Sequence, residues 1–250
     1  MLSKNKMKFI RSLELKKRRR EEHAFVAEGG KTVRELLGRF HCRLLAGTPM
    51  FFSHTPAPEA DEMVQVTFDE LLKASLLCTP QEVLAVFDEP DWFLDEEAPR
   101  HNLCLALDGV QDPGNLGTIV RLADWFGIGH VYASPDTADV FNPKAVQATM
   151  GAIARVQVHY TPLDTLLDKL HDVPIYGTFL DGNNIYHEEL SENGLIVMGN
   201  EGKGISRETE AKISRRLFVP NYPSGRATSE SLNVAVATAV VCAEFRRRMP

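Results

Sequence analysis

Cysteine is scarce in this chain: four residues in 250, at Cys42, Cys78, Cys104 and Cys242. No two of them form a CxxC pair. Neither a disulfide framework nor a thiolate cluster is expected, no metal site is read, and a reducing cytoplasm is the default compartment. Long apolar runs are missing as well. None approaches the ~20 residues a bilayer helix needs, so no membrane partner is expected. The basic N-terminus has no apolar core or small-residue cleavage site, and no secretory signal is read there. Internal repeats and low-complexity stretches are also lacking. What remains, 44% hydrophobic and 25% charged residues, is an ordinary globular composition in a chain long enough for two domains.

The formal net charge of -6 argues only weakly against nucleic acid, because the charges are segregated. Residues 1–20 carry nine Lys/Arg and one Glu, whereas residues 59–97 carry twelve Asp/Glu and one Lys. A local cationic surface is what meets phosphate, whatever the total. The run Lys16 to Arg20 is therefore either a solvated helix face or a phosphate-contacting arm.

Short strands at Phe25–Ala27, Cys42–Leu45, Met63–Val66 and Val83–Phe87 alternate with helices at Thr32–Leu37 and from Phe68. This pattern predicts a small α/β domain over residues 1–95. Asp88 to Arg100, with two prolines and six acids, reads as the linker. From residue 101 to 250 the pattern predicts a second α/β domain. Its strands are Leu103–Leu107, Val131–Ala133, Ile175–Phe179, Leu195–Met198 and Leu217–Val219. Continuous apolar runs of this kind suit the buried strands of a mostly parallel sheet with helices on both faces. Three of these strands run into polar turns: 108–117, 199–206 and 220–233. Such turns would form a crevice at the carboxyl edge of the sheet, where ligands of α/β proteins sit.

Known nucleotide fingerprints do not fit these turns. Gly109 and Gly114 have the spacing of a phosphate-binding P-loop, but Asn115-Leu116 stands where Gly-Lys-Ser/Thr is required. The dinucleotide pattern GxGxxG lacks its first glycine.

Three stretches together resemble the SpoU (TrmH) family of RNA ribose methyltransferases, in the SPOUT class. They are Leu107-Asp108-Gly109-Val110-Gln111-Asp112-Pro113-Gly114-Asn115-Leu116-Gly117 running on to Arg121, Val197-Met198-Gly199-Asn200-Glu201-Gly202-Lys203-Gly204-Ile205, and Val219-Pro220 with Glu230-Ser231-Leu232-Asn233-Val234. More weakly, Ser12 to Lys17 with Phe25-Val26-Ala27-Glu28-Gly29 is similar to that family's N-terminal RNA-binding domain. The resemblance implies a C-terminal trefoil knot and methyl transfer from S-adenosyl-L-methionine to a ribose 2′-hydroxyl. Ribosomal RNA is favoured over transfer RNA as the structured substrate. It also implies a homodimer formed through the C-terminal domain, with Arg121 serving either its own or the partner's site. The cofactor residues it implies are Thr178, Gly199, Asn200, Val219 and Leu232. The catalytic residues it implies are Arg121, Asn115, Glu201, Ser231 and Asn233, with Asn115 and Glu201 orienting Arg121. The 220–231 loop is a few residues longer than is common in the family, and Ala235 replaces a serine often seen there. A catalytically inactive RNA-binding protein is the alternative reading. Intact Arg121, Asn115, Glu201 and Asn233 argue against it.

Overall fold

A computed structural model describes residues 1–55, 57–223, 226 and 231–248. Glu230, part of the third family-like stretch, lies outside the described residues. In the first part of the chain the helices are α1 (Lys4–Ser12), α2 (Lys16–Glu22), α3 (Gly30–Leu36), α4 (Pro49–Ser53) and α5 (Phe68–Ala74). The strands are β1 (Ala24–Glu28), β2 (Cys42–Gly47), β3 (Glu62–Gln65) and β4 (Val83–Asp88). The remainder is α6 (Ala98–His101), β5 (Leu103–Asp108), α7 (Pro113–Trp125), β6 (His130–Ala133), α8 (Pro143–Thr149), β7 (Gln157–Tyr160), α9 (Leu163–Lys169), β8 (Ile175–Asn184), β9 (Gly194–Gly199), α10 (Arg207–Glu210), β10 (Arg215–Phe218) and α11 (Val234–Arg247).

Two compact units result. The first comprises Met1–Asp91 with Asp139–Ala154, the second Trp92–Ala138 with Arg155–Pro250. The sequence reading assigned residues 101–250 to the second domain without interruption. The contacts instead group residues 139–154 with the first unit, because their anchors lie there. Phe141 packs on Phe25 at 4.8 Å between ring centroids. Asp139 pairs with Arg19 at 2.6 Å.

In the first unit the strand order is β1-β4-β2-β3. β4 is antiparallel to β1 and β2, and β3 runs parallel to β2. Val26, Leu44, Ala46, Leu84 and Val86 from these strands form one core with Ile10 and Leu13 of the N-terminal segment and Leu71 and Ala74 of α5. Thr67 and Glu70 close a capping box on α5.

Arg19, from the middle of the basic run, points inward and is only 1% exposed. Its guanidinium donates to Asp139 and to the carbonyls of Leu13 and Glu14, at 2.8 and 2.7 Å for the carbonyls. This residue is therefore structural, and neither reading of the run, solvated face or phosphate-contacting arm, holds for Arg19. Arg18 and Lys17 face Glu21 on the surface.

The second unit is built on a six-stranded sheet of order β10-β8-β9-β5-β6-β7, parallel at every pairing. Its central strands, Leu-Cys-Leu-Ala-Leu-Asp and Gly-Leu-Ile-Val-Met-Gly, are buried almost throughout, as expected of strands covered on both sides. From β5 the chain moves outward through β6 and β7, then crosses back to lay β8 and β9 on the other side. The order therefore reverses between β5 and β9, where open α/β sheets place their ligands. After β9 the chain passes β8 to add β10 at the edge. It then returns with α11 against α7 and β9. β7 and α9 had no counterpart in the sequence reading, and β8 extends five residues past the Phe179 expected to end it.

Candidate functional site

The carboxyl ends of β8, β9 and β10 enclose a cavity of about 380 Å³ in the second unit. Its walls are residues 178–180 of β8, 198–204 from β9 and its following turn, 217–219 from β10, and Ser231, Leu232, Val234 and Ala237 leading into α11. Thr178, Gly199, Asn200, Val219 and Leu232 all line it, as do Glu201 and Ser231. Phe179, Leu180 and Lys203 also line it and were not singled out from sequence. The volume falls in the range of small-molecule sites. The lining is apolar at Leu180, Leu217, Val219 and Leu232 and carries charge at Glu201 and Lys203.

The turn after β9 is held by its own atoms. Asn200 and Gly204 exchange backbone hydrogen bonds at 2.9 Å in each direction. The Asn200 side-chain oxygen accepts from the amides of Gly202 and Lys203, both at 2.9 Å. Its amide nitrogen donates to the Gly109 carbonyl at 2.6 Å and so ties the second polar turn to the first. A Cβ on Gly199 would lie 2.5 Å from the Ile205 backbone nitrogen. Glycine is needed here because the chain folds back over itself. Buried Asp108 fixes the far end of the turn by accepting from the Ser206 amide and hydroxyl, each at 2.8 Å. Ser206 in turn caps α10.

Three of the expected catalytic residues form one row. Asn115 Nδ2 donates to Glu201 Oε1 at 2.9 Å. Asn233 Nδ2 donates to Asn115 Oδ1 at 3.0 Å. Asn233 also caps α11, its Oδ1 accepting from the amides of Ala235 and Val236. It therefore both caps α11 and joins the row. The cap of α7 is Asp112 and not Asn115. Glu201 lines the cavity, so the row joins its wall to α7 and α11.

Arg121 stands apart from this row. It lies on α7, exposed, and makes no hydrogen bond or ion pair among the described residues. The expectation that Asn115 and Glu201 orient it within one chain is not met; they bond each other.

Several cations of the second unit are neutralised within the chain. Lys212 pairs with Asp168, and Arg216 with Asp181 and Glu210. Arg247 and Arg248 pair with the buried Glu244, and this holds the Glu244 carboxyl well below the usual carboxylate range. Lys203, Arg207 and Arg215 make no side-chain hydrogen bond or ion pair among the described residues. Far from the cavity on β7, His159 is pushed down to about 4 by burial and by the neighbouring His130.

The SpoU rRNA Methylase family matches residues 102–243, the segment containing the cavity and the hydrogen-bonded row. The chain belongs to that family. Ahead of the SpoU segment, residues 4–85 match the MRM3-like substrate binding domain. Among SpoU relatives, the 23S rRNA (guanosine(2553)-2′-O)-methyltransferase RlmP of Bacillus subtilis is 38% identical over 171 residues, covering 67% of this chain and 66% of that protein. The 23S rRNA (guanosine-2′-O-)-methyltransferase RlmB of Neisseria meningitidis is 33% identical over 152 residues, covering 58% of each chain. The chain thus spans about three-fifths to two-thirds of these relatives' lengths. A solved TrmH-family structure from Porphyromonas gingivalis superposes with a TM-score of 0.89 at 45% identity, covering 99% of both chains. An AdoMet-bound rRNA methyltransferase from Sinorhizobium meliloti gives 0.85 at 26% identity, over 100% of this chain and 97% of that one. The fold is that of the SPOUT methyltransferases, with a separate substrate-binding domain ahead of it.

Proposed function

We propose that this protein transfers a methyl group from S-adenosyl-L-methionine to a ribose 2′-hydroxyl of structured RNA, ribosomal RNA in preference to transfer RNA. The observation that carries the reading is the cavity. Its five expected cofactor residues line one space, and in its wall stands a carboxylate bonded by Asn115, which Asn233 holds in turn. The family match and the names of the relatives support the same chemistry.

The cofactor, when bound, supplies a sulfonium-activated methyl group. The protein's task is then alignment of the 2′-oxygen and relief of one proton. The apolar walls exclude water from the purine end, while Glu201 and Lys203 offer opposite charges to a zwitterionic tail. Within the row, Glu201 is the only member able to accept a proton. Asn115 and Asn233 keep it from rotating away, and Ser231 shapes the same mouth.

Arg121 is a poor base, since a guanidinium offers hydrogen-bond donors and no acceptor. Its role is to clamp the phosphate beside the target ribose and polarise the hydroxyl. Having no hydrogen bond or ion pair among the described residues, it serves the site of a partner subunit in a homodimer. The face for that dimer is the exposed side of α7 and α11, where Trp125 is 82% and Val236 51% exposed. The compartment we propose is the cytoplasm, on the scarcity and wide spacing of the cysteines. No helix among the described residues is long and apolar enough to cross a membrane.

The test is incubation with radiolabelled S-adenosylmethionine and with ribosomal or transfer RNA lacking 2′-O-methylation, followed by mapping of the modified nucleotide. Label in a ribose 2′-O-methyl group is expected. No transfer to either RNA, together with no cofactor binding by calorimetry, would leave the inactive RNA-binder in its place.

A further inference from the structure

The wall of the cavity formed by Phe179 is not free-standing. The Arg216 guanidinium lies over its ring, 3.6 Å from the centroid. Arg216 is itself held from two sides, donating to Glu210 Oε1 of α10 and Asp181 Oδ1 of β8, both at 2.6 Å. A guanidinium that spends its in-plane donors on carboxylates is left with a flat face, and here that face meets the aromatic ring.

A second observation concerns the same ring. Gly177 precedes Phe179 by two residues and therefore shares its side of the strand. A Cβ at Gly177 would come 2.6 Å from Phe179 Cε2 and would strike Ile213 Cδ1. The missing side chain is what lets the ring lie flat against the sheet.

The register of β10 against β8 also breaks at this point. Arg216 pairs with Gly177, and the next residue, Leu217, pairs with Asn183. Leu217, Phe218 and Val219, the residues after the break, line the cavity. Arg216 thus stands where regular pairing ends and the binding wall begins.

We propose that Arg216 is a positioning residue for the cofactor. Clamped by Asp181 and Glu210, it presses Phe179 into the wall that receives the purine end of the ligand and holds the strand end at Leu217 to Val219. The inference rests on the methyl-transfer reading above and adds to it a residue that no motif contains. It assigns Phe179 to contact with the ligand and Arg216 to action through Phe179.

The experiment is calorimetric titration of full-length protein with S-adenosylmethionine, paired with steady-state methylation kinetics. Wild type, Arg216→Ala, Arg216→Lys, Phe179→Leu and the Arg216→Ala/Phe179→Leu double variant are compared. Arg216→Ala is expected to weaken binding about three- to fivefold, the scale of a cation–ring contact at a partly exposed site. It raises the KM for cofactor in parallel, with turnover at saturating cofactor falling less than about twofold. Arg216→Lys recovers part of the loss. The double variant binds no worse than Phe179→Leu, because the cation then has no ring to hold.

Wild-type affinity in Arg216→Ala, additive losses in the double variant, or a fall in turnover with unchanged KM would each overturn the proposal. If Arg216→Ala unfolds early, Glu210→Gln and Asp181→Asn loosen the clamp without removing the cation, and each is expected to weaken binding about two- to threefold. Wild-type affinity in both would also overturn it. A wild type that itself fails to bind the cofactor is a different outcome: it removes the methyl-transfer reading and this proposal with it.

Discussion

Asn115 shows how much one side chain can do without touching a ligand. Its amide spans the gap between Glu201 and Asn233, with one end donating and the other accepting. Replacement by alanine leaves the Glu201 carboxylate free to turn and removes a partner of the α11 cap. Asn115→Ala is expected to lower methylation turnover roughly 10- to 100-fold, the range for loss of acid–base alignment. Cofactor affinity, measured by calorimetry, should stay within a few-fold. Arg121→Ala should abolish methylation with an equally small change in cofactor affinity, since the residue lies outside the cavity wall. Wild-type turnover in that variant would remove Arg121 from the mechanism.

At this scale the sequence was informative for a clear reason. The residues of the cavity and the row sit at turns after apolar strands, and turn residues of unusual polarity stand out. Phe179 and Arg216 did not stand out. An aromatic in a strand and an arginine in a charged stretch each have an ordinary explanation, and their contact joins positions 37 apart in the chain. Arg19 was hidden differently: in a run of five cations nothing local says which one turns inward. Its partner Asp139 is 120 positions away.

Among the elements, α2 owes its place to that buried arginine. Removing it would leave Asp139 without its charge partner and the Leu13 and Glu14 carbonyls without donors. Arg19→Ala is expected to destabilise the first unit by about 3 kcal/mol, the cost of breaking a buried ion pair. The shift of the denaturant midpoint measures it. Glu89, already pushed up to about 7 chiefly by burial and then by Asp139, is held down by Arg19, so its carboxyl should titrate still higher in this variant.

On β7, His159 stacks on His130 and Tyr132. Unfolded, a histidine takes its proton near pH 6.5; here it refuses it until about 4. Acid therefore favours the unfolded chain, and stability is lost as pH falls from 6.5 towards 4, by about 3 kcal/mol from this residue. Urea midpoints at pH 7 and pH 5 should differ less for His159→Phe than for wild type. β7 itself escaped the sequence reading because Gln-Val-His-Tyr alternates too briefly to stand out, while the all-apolar β5 and β9 were plain.

For the whole molecule, the strand order was beyond reach of periodicity. Local pattern tells which segments are strands but not that β8 and β9 return to the far side of β5. General topology rules favour simpler paths than a threaded one. The grouping of residues 139–154 with the first unit was invisible for the same reason, since it depends on contacts distant in sequence. The proposed homodimer carries its own prediction. Arg121→Ala is inactive alone, and Asn115→Ala alone keeps at most about a tenth of wild-type turnover. If Arg121 serves the partner's site, unfolding and co-refolding the two should restore about a quarter of wild-type activity. Half of the dimers would then be mixed, and each mixed dimer would hold one intact site. Failure to recover activity in demonstrably mixed dimers would place Arg121 in its own subunit's site.

The cross-tie from Asn200 to Gly109 has a consequence for how a ligand enters. The turn is closed by paired amides and pinned to its neighbour, so the receptacle keeps its shape when empty. Little chain ordering is left to the moment of capture, and more of the contact energy is retained as affinity. Association would then be governed by diffusion to a standing opening and not by the folding of a loop around its guest.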